Sequence, residues 1–333
     1  MSIDLPLVWA AIIAFGIIMY VVLDGFDLGI GILFPLVRGP EDRDAMMNSV
    51  APVWDGNETW MVLGGAALFG AFPLAYALLL SALYMPLIVM LLALIFRGVA
   101  FEFRFKAKRS RFLWDWSFAF GSILTAFAQG ISLGAFIQGI AVTNRQYAGG
   151  PFDWLTPFSL CIGLGLVAGY ATLGCGWLIL KTEGELQRRC FKLMLPLAAI
   201  LLLFIALASL WTPLLNARIS ARWFSMPNLL YLAPVPILVA VAAFLLWRSI
   251  VNRRDAQPFL LALALFLLGY AGLAISLWPF IVPPSVTIWD AAAPSASQSF
   301  MLVGMLILIP VILAYTVYSY WVFRGKVRGG YHE

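Results

Sequence analysis

The chain has 333 residues, 63% of them hydrophobic and only 11% charged, with a mean hydropathy of +0.95. That composition excludes a soluble globular domain and a disordered chain, and it defines a polytopic membrane protein. A formal net charge of +5 would point to an acidic partner in a soluble protein. Here the basic residues sit in short loops between apolar runs, so they report topology and not nucleic-acid binding.

The first apolar run covers residues 5–36. A bilayer core of roughly 30 Å takes about 20 residues of helix, so the run is long enough to cross. No basic n-region or small-residue cleavage site marks it as a signal peptide. At about 1.5 Å per residue, Asp24 lies roughly 28 Å along a helix begun at Leu5, in the far leaflet or at its interface. Asp24 and Asp27 share a helix face, and no basic residue follows them before Arg38. Ionisable groups in a membrane helix are costly unless they face protein or water, which makes the pair a functional candidate. The plainer reading is a pair solvated at the headgroups.

A charged loop, Arg38 to Asp44, leads to Pro52-Val53-Trp54-Asp55-Gly56-Asn57-Glu58-Thr59-Trp60 and then to an uncharged stretch ending at Phe96. As one helix, Thr59 to Phe96 would measure about 57 Å, too long for a single crossing. A break at Gly70-Ala71-Phe72-Pro73 gives two spans. A strongly basic loop follows, from Arg97 to Arg111. The fourth span is expected over 116–142, with Gln129 and Gln138 inside it, and the glycine-rich fifth over 158–180. The sixth to ninth fall at 193–210, 229–247, 259–280 and 300–323.

Nine spans place the termini on opposite sides. With the N-terminus outside, 18 of the 21 Lys and Arg fall in inner segments, leaving only Arg145, Arg218 and Arg222 outside. This is a strong positive-inside bias. The expectation is therefore a single integral membrane domain over 1–333, all-α, with nine transmembrane helices and a cytoplasmic C-terminus.

That topology brings Asp24, Asp27, Asp55 and Glu58 to one depth on the cytoplasmic side. Four acids without an evident basic partner cannot all stay ionised in a low-dielectric site, which suits a proton entry path or a cation site. A simpler use of Asp55 or Asn57 is to cap the second span, since Pro52 lies shortly before an apolar run. Arg97 and Glu102, in Arg97-Gly98-Val99-Ala100-Phe101-Glu102-Phe103-Arg104, read as a solvated ion pair where the third span leaves the membrane.

Cys161, Cys175 and Cys190 show no paired spacing and read as packing residues. The single histidine, His332, stands next to the C-terminus, so the chain offers no metal site and no intramembrane histidine for haem. Gly25, Gly29, Gly130, Gly134, Gly165 and Gly169 stand at small-xxx-small spacing, which implies close-packing surface left over for a partner chain.

Several of these segments together resemble subunit II of the cytochrome bd-type ubiquinol oxidases. They are Gly25-Phe26-Asp27-Leu28-Gly29, the segment through Trp54, Asp55, Gly56, Asn57, Glu58 and Trp60, the Arg97–Arg104 segment with Glu102, Lys181-Thr182-Glu183-Gly184, Pro279 to Ala293, and Phe323-Arg324-Gly325-Lys326. The match runs in order along essentially the whole chain, and the compact loops look most like the cyanide-insensitive branch. The resemblance implies a haem-free subunit of a respiratory complex in the bacterial inner membrane that reduces O2 to water with electrons from quinol. It implies two four-helix bundles plus one peripheral helix, and an obligate haem-binding subunit I carrying haems b and d, or b only. A small single-helix accessory subunit, membrane lipids and quinone are further partners it suggests. It also implies a cytoplasmic proton-uptake route at Asp55, with no catalytic residue in this chain. The alternative of another class is an ion-coupled secondary transporter using the same carboxylates; such folds usually show paired broken helices in two repeated halves, whereas Pro86, Pro234, Pro236 and Pro310 are isolated.

Overall fold

The computed structural model describes residues 3–327. Arg328, His332 and the C-terminal Glu333 lie outside the described residues.

The first helix, α1 (Leu5–Leu33), starts where Asp4 accepts a hydrogen bond from the Leu7 amide, and it runs into a 3-10 turn, Phe34–Leu36. A short helix, α2 (Pro40–Asn48), lies in the charged loop. The break expected at Gly70–Pro73 is present. Helix α3 (Trp54–Ala71) ends there and α4 (Pro73–Lys106) begins on Pro73, whose missing N–H is tolerated in a first turn. Helix α5 (Arg111–Gln138) stops at Gly139, which takes φ of 103°, a conformation costly for any residue with a Cβ. The chain beyond it is not helical to Val142, as the apolar pattern suggested, but forms a small hairpin of β1 (Val142–Thr143) and β2 (Gln146–Tyr147).

Helix α6 (Pro157–Lys181) opens with a reciprocal capping box between Thr156 and Ser159. Then come α7 (Gly184–Leu215), two short helices α8 (Ala217–Phe224) and α9 (Asn228–Leu232), and α10 (Pro234–Val251) with α11 (Gln257–Leu277). A second hairpin pairs β3 (Phe280–Val282) with β4 (Val286–Thr287) before α12 (Ser295–Val322). Cys190, which sequence placed after a helix, lies inside α7 and its carbonyl accepts from Cys175 Sγ at 3.1 Å.

Among the described residues, 8 helical segments are long and apolar enough to cross a membrane. Helix α3 has 18 residues, about 27 Å, but its first turn carries Asp55, Asn57 and Glu58 and is too polar to qualify by composition. The charged ends of the helices gather into two sets. At one end Arg218 Nη1 donates to the Pro284 carbonyl, Trp289 Nε1 to Asp4, and the Ala293 amide to the Ala71 carbonyl. At the other, Arg43 and Arg104 share Asp115, Arg104 and Arg111 share Asp44, and Lys326 pairs with Asp255.

Helix α1 is the hub, packed against α3, α5 and α6, while α12 touches only α3 and α1 to any extent. The small residues decide these approaches. A Cβ on Gly29 would fall on the Tyr170 carbonyl of α6, and Gly130 lies against the backbone of Gly163. Gly134 abuts Ser159, Gly165 abuts Phe204 and Gly169 abuts Phe266. Gly25 faces the Tyr170 ring. The glycines read as spare surface for a partner are therefore occupied within the chain, because α1, α5 and α6 all have to pass one another at close range.

Candidate functional site: a buried arginine among carboxylates

Near one end of the bundle, three helices bring charge together in a largely buried cluster. Asp24 and Asp27 project from the last third of α1, Asn57 and Glu58 from the first turn of α3, and Arg97 from α4. Asp24, Asp27 and Arg97 are all 0% exposed. Arg97 Nη2 stands 2.9 Å from Asp24 Oδ1 and 3.9 Å from Asp27 Oδ2, and Nη1 donates to Glu58 Oε1 at 2.7 Å. Isolated buried charges are untenable in so dry a place, so the guanidinium and the carboxylates require one another.

Neutral groups complete the ring. Asn57 Nδ2 donates to Asp27 Oδ2 at 2.7 Å, and its Oδ1 accepts from the Tyr320 hydroxyl of α12 at 3.0 Å. Tyr320 therefore fixes which way the Asn57 amide points. Around this ring the aromatic residues of the motif have mechanical duties. Trp54 stacks on Phe101 with centroids 4.8 Å apart, and buried Trp60 meets Phe15 edge-on at 5.6 Å. Gly56 leaves space for the Tyr315 ring.

Three expectations need correction. Arg97 is not a solvated partner of Glu102: it is buried inside α4, while Glu102 is exposed and stands 3.6 Å from Lys106. The carboxylates accordingly do have a basic partner, supplied from a helix distant in sequence. Neither Asp55 nor Asn57 caps α3, whose N-cap is Val53 without a side-chain hydrogen bond.

The convergence is real for Asp24, Asp27 and Glu58. Asp55 lies one turn from Glu58 on the same face but is exposed and forms no ion pair among the described residues. Glu58 is the intermediate group, its side chain 22% exposed. Cluster and surface are thus joined along the start of α3.

Sequence reading missed a second charged network. Arg104, fully buried at its side chain, holds Asp115 at 2.5 Å and Asp44 at 2.6 Å. Arg97 and Arg104 are seven residues apart, two turns on one face of α4, and that periodicity is the signal that both turn inward. Tyr320 gave no such signal.

An all-helical membrane domain with a paired charge cluster between its helices belongs to the class of integral membrane proteins that work on ions, protons or redox partners. The family model for cytochrome bd terminal oxidase subunit II matches residues 5–323, and the chain belongs to that family. It is 31% identical to the cytochrome bd-I ubiquinol oxidase subunit 2 of Escherichia coli K12, over 97% of this chain and 95% of that one. It is 28% identical to the cytochrome bd ubiquinol oxidase subunit 2 of Bacillus subtilis, over 96% of each. In fold it is similar to a chain of the bd oxidase of Geobacillus thermodenitrificans, with a TM-score of 0.77, 16% identity, and 97% of this chain and 100% of that one covered. Family membership makes the chain one part of an oxidoreductase complex.

Proposed function

We propose that this chain is the haem-free subunit II of a quinol oxidase that reduces O2 to water, and that it steadies the haem-bearing subunit and admits protons from the cytoplasm. Its relatives are named as ubiquinol oxidase subunits, and the family match runs nearly end to end. The donor set argues against a cofactor of its own. Among the described residues no group of three or more His, Cys, Asp or Glu could hold a metal ion, and Arg97 already occupies the centre of the cluster of Asp24, Asp27 and Glu58. Haem chemistry, electron transfer from quinol and O2 reduction then belong to the partner. With α3 counted, nine helices cross the membrane, two groups of four plus α12, with the N-terminus outside.

The observation that carries the proton reading is the gradient of exposure from exposed Asp55 through partly exposed Glu58, both on α3, to buried Asp27 on the neighbouring α1. Protons for O2 reduction come from water, and an apolar core offers no path without groups that take up and release them. Asp55 stands at the wet end of such a series. Asp55→Asn keeps the size of the side chain but cannot carry a proton. We expect an assembled, haem-loaded complex whose quinol oxidase turnover falls at least about tenfold, against the roughly hundredfold or more that a positioned acid–base group typically contributes. Normal turnover in assembled Asp55→Asn complex would remove Asp55 from the route.

A further inference from the structure

Asp24 differs from the other two carboxylates in its surroundings. Arg97 Nη2 approaches one oxygen to 2.9 Å, yet neither oxygen of this fully buried group has a hydrogen-bond donor placed on it among the described residues. The candidate donor is one turn back on the same face of α1, where the Tyr20 phenol lies within interaction range of Asp24.

What Tyr20 can do is decided one layer further out. The side-chain amide of Gln129, on α5, lies between two phenols. Its Nε2 donates to the Tyr20 oxygen at 2.6 Å, and its Oε1 accepts from the Tyr170 hydroxyl of α6 at 2.9 Å. An amide carbonyl only accepts and an amide NH2 only donates, so the direction of every bond follows. Tyr170 gives its proton to Gln129, Gln129 gives one to Tyr20, and the Tyr20 proton remains free for Asp24. The reverse amide orientation would consume that proton and leave the buried Asp24 oxygens without it, which decides between the two.

We propose that Tyr170 and Gln129 orient Tyr20 as the hydrogen-bond donor that keeps Asp24 ionised against Arg97, so that proton exchange in this chain is left to Asp27 and Glu58. Tyr20 is thus a positioning residue, acting through Asp24. Three carboxylates surround one guanidinium, and in a dry site one of them balances it. Asp24 has the shorter contact with Arg97 and a hydroxyl donor besides, whereas Asp27 is 3.9 Å from the guanidinium and is held by a neutral amide. Glu58 is the one that meets solvent. The chain beyond Tyr20 leads no proton away, because an amide neither gains nor loses one near neutral pH; Gln129 is where the series stops. The assignment of exchange to Asp27 and Glu58 rests on the proton reading above, while the orientation of Tyr20 does not.

The test uses the whole complex with its haem subunit and two readouts. Infrared spectra taken across about pH 5 to 9, the range in which perturbed carboxyls titrate, report protonated carboxyl groups directly. In the unaltered complex Asp24→Asn should remove no part of that signal, and Glu58→Gln should remove some. Tyr20→Phe, which keeps the ring, should add a protonated-carboxyl component that a further Asp24→Asn abolishes. It should also shift the pH profile of turnover by about one unit, equivalent to a tenfold change in proton affinity. Tyr170→Phe, one hydrogen bond further from Asp24 than Gln129, should produce a smaller shift in the same direction and serves equally if Tyr20→Phe assembles poorly. An Asp24-dependent signal in the unaltered complex would overturn the proposal. So would Tyr20→Phe and Tyr170→Phe complexes whose spectra and pH profiles match the parent. The infrared result needs no turnover, so a fully active Asp55→Asn complex would end the proton-route reading and leave this role of Tyr20 standing.

Discussion

Arg97 shows what single residues contribute to the site. Its guanidinium touches Asp24 and Glu58 within 3 Å and is itself fully buried. Removing one partner of a buried ion pair costs about 3–5 kcal/mol, because the other charges stay behind uncompensated. Arg97→Met should therefore lower the melting temperature of the solubilised complex sharply or prevent its accumulation in membranes. Arg97→Met with Asp24→Asn should recover part of the loss, and a double variant no better than the single one would argue against the pairing. Arg97→Lys should also fail in part, since one ammonium cannot present two nitrogens in the fork that serves Asp24 and Glu58 together. The acids of this cluster were legible in the sequence because charge stands out in an apolar run. Their partner was not, because Arg97 opens a run of basic residues and so resembles a membrane boundary; only its seven-residue spacing from Arg104 betrays a buried face.

Among the elements, α1 and α6 pass each other on glycine. Gly29 faces the Tyr170 carbonyl, and Gly174 faces Gly29 from the other side, so neither helix can yield without moving its backbone. Gly29→Ala should destabilise the protein by roughly 1–3 kcal/mol, the usual range for overpacking a tight contact. Gly269→Ala and Gly304→Ala, which would meet no atom within 4 Å, should be neutral or stabilising by up to about 1 kcal/mol, since alanine is the better helix former. Thermal melting of the three variants side by side checks this, and equal losses would mean that the α1–α6 crossing does not set the effect. The helix break at Pro73 was readable because proline restricts the backbone locally, whereas the stop at Gly139 was not, since glycine permits a positive φ without requiring one and the apolar pattern ran on to Val142. Which helix a glycine faces was not readable, since the same spacing admits a neighbour in this chain or in another.

For the whole molecule, the distribution of charge gives the expected orientation. With Arg97 moved from loop to interior, the inner segments still hold 17 basic residues against 3 outside. A reporter fused after Glu333 should be active only in the cytoplasm, and one inserted at Gly149, in the β1–β2 loop region, only outside. The opposite pattern would invert the molecule and place Asp55 on the wrong side for uptake from the cytoplasm. Of the nine spans expected from lengths and loop charges, eight correspond to helices long and apolar enough to cross, and α3 does not qualify by composition. There the same polar residues that build the site dilute the apolar signal of the span.

The bond from Tyr320 to Asn57 has a consequence for how the protein is made. Its two partners are 263 residues apart, and α12 is the last long helix to leave the ribosome. At bacterial synthesis rates of roughly 5–20 residues per second, the amide waits about 13–50 s for the hydroxyl that orients it. Until then Asp27 lacks its fixed donor, and α12 has not yet been anchored by the Lys181 Nζ bond to the Phe323 carbonyl and the Lys326 bond to Thr182. The charge cluster is thus completed at the end of translation, so a nascent chain truncated before α12 carries an unfinished polar centre inside the bilayer, the kind of lesion by which membrane proteases distinguish an incomplete product from a complete one.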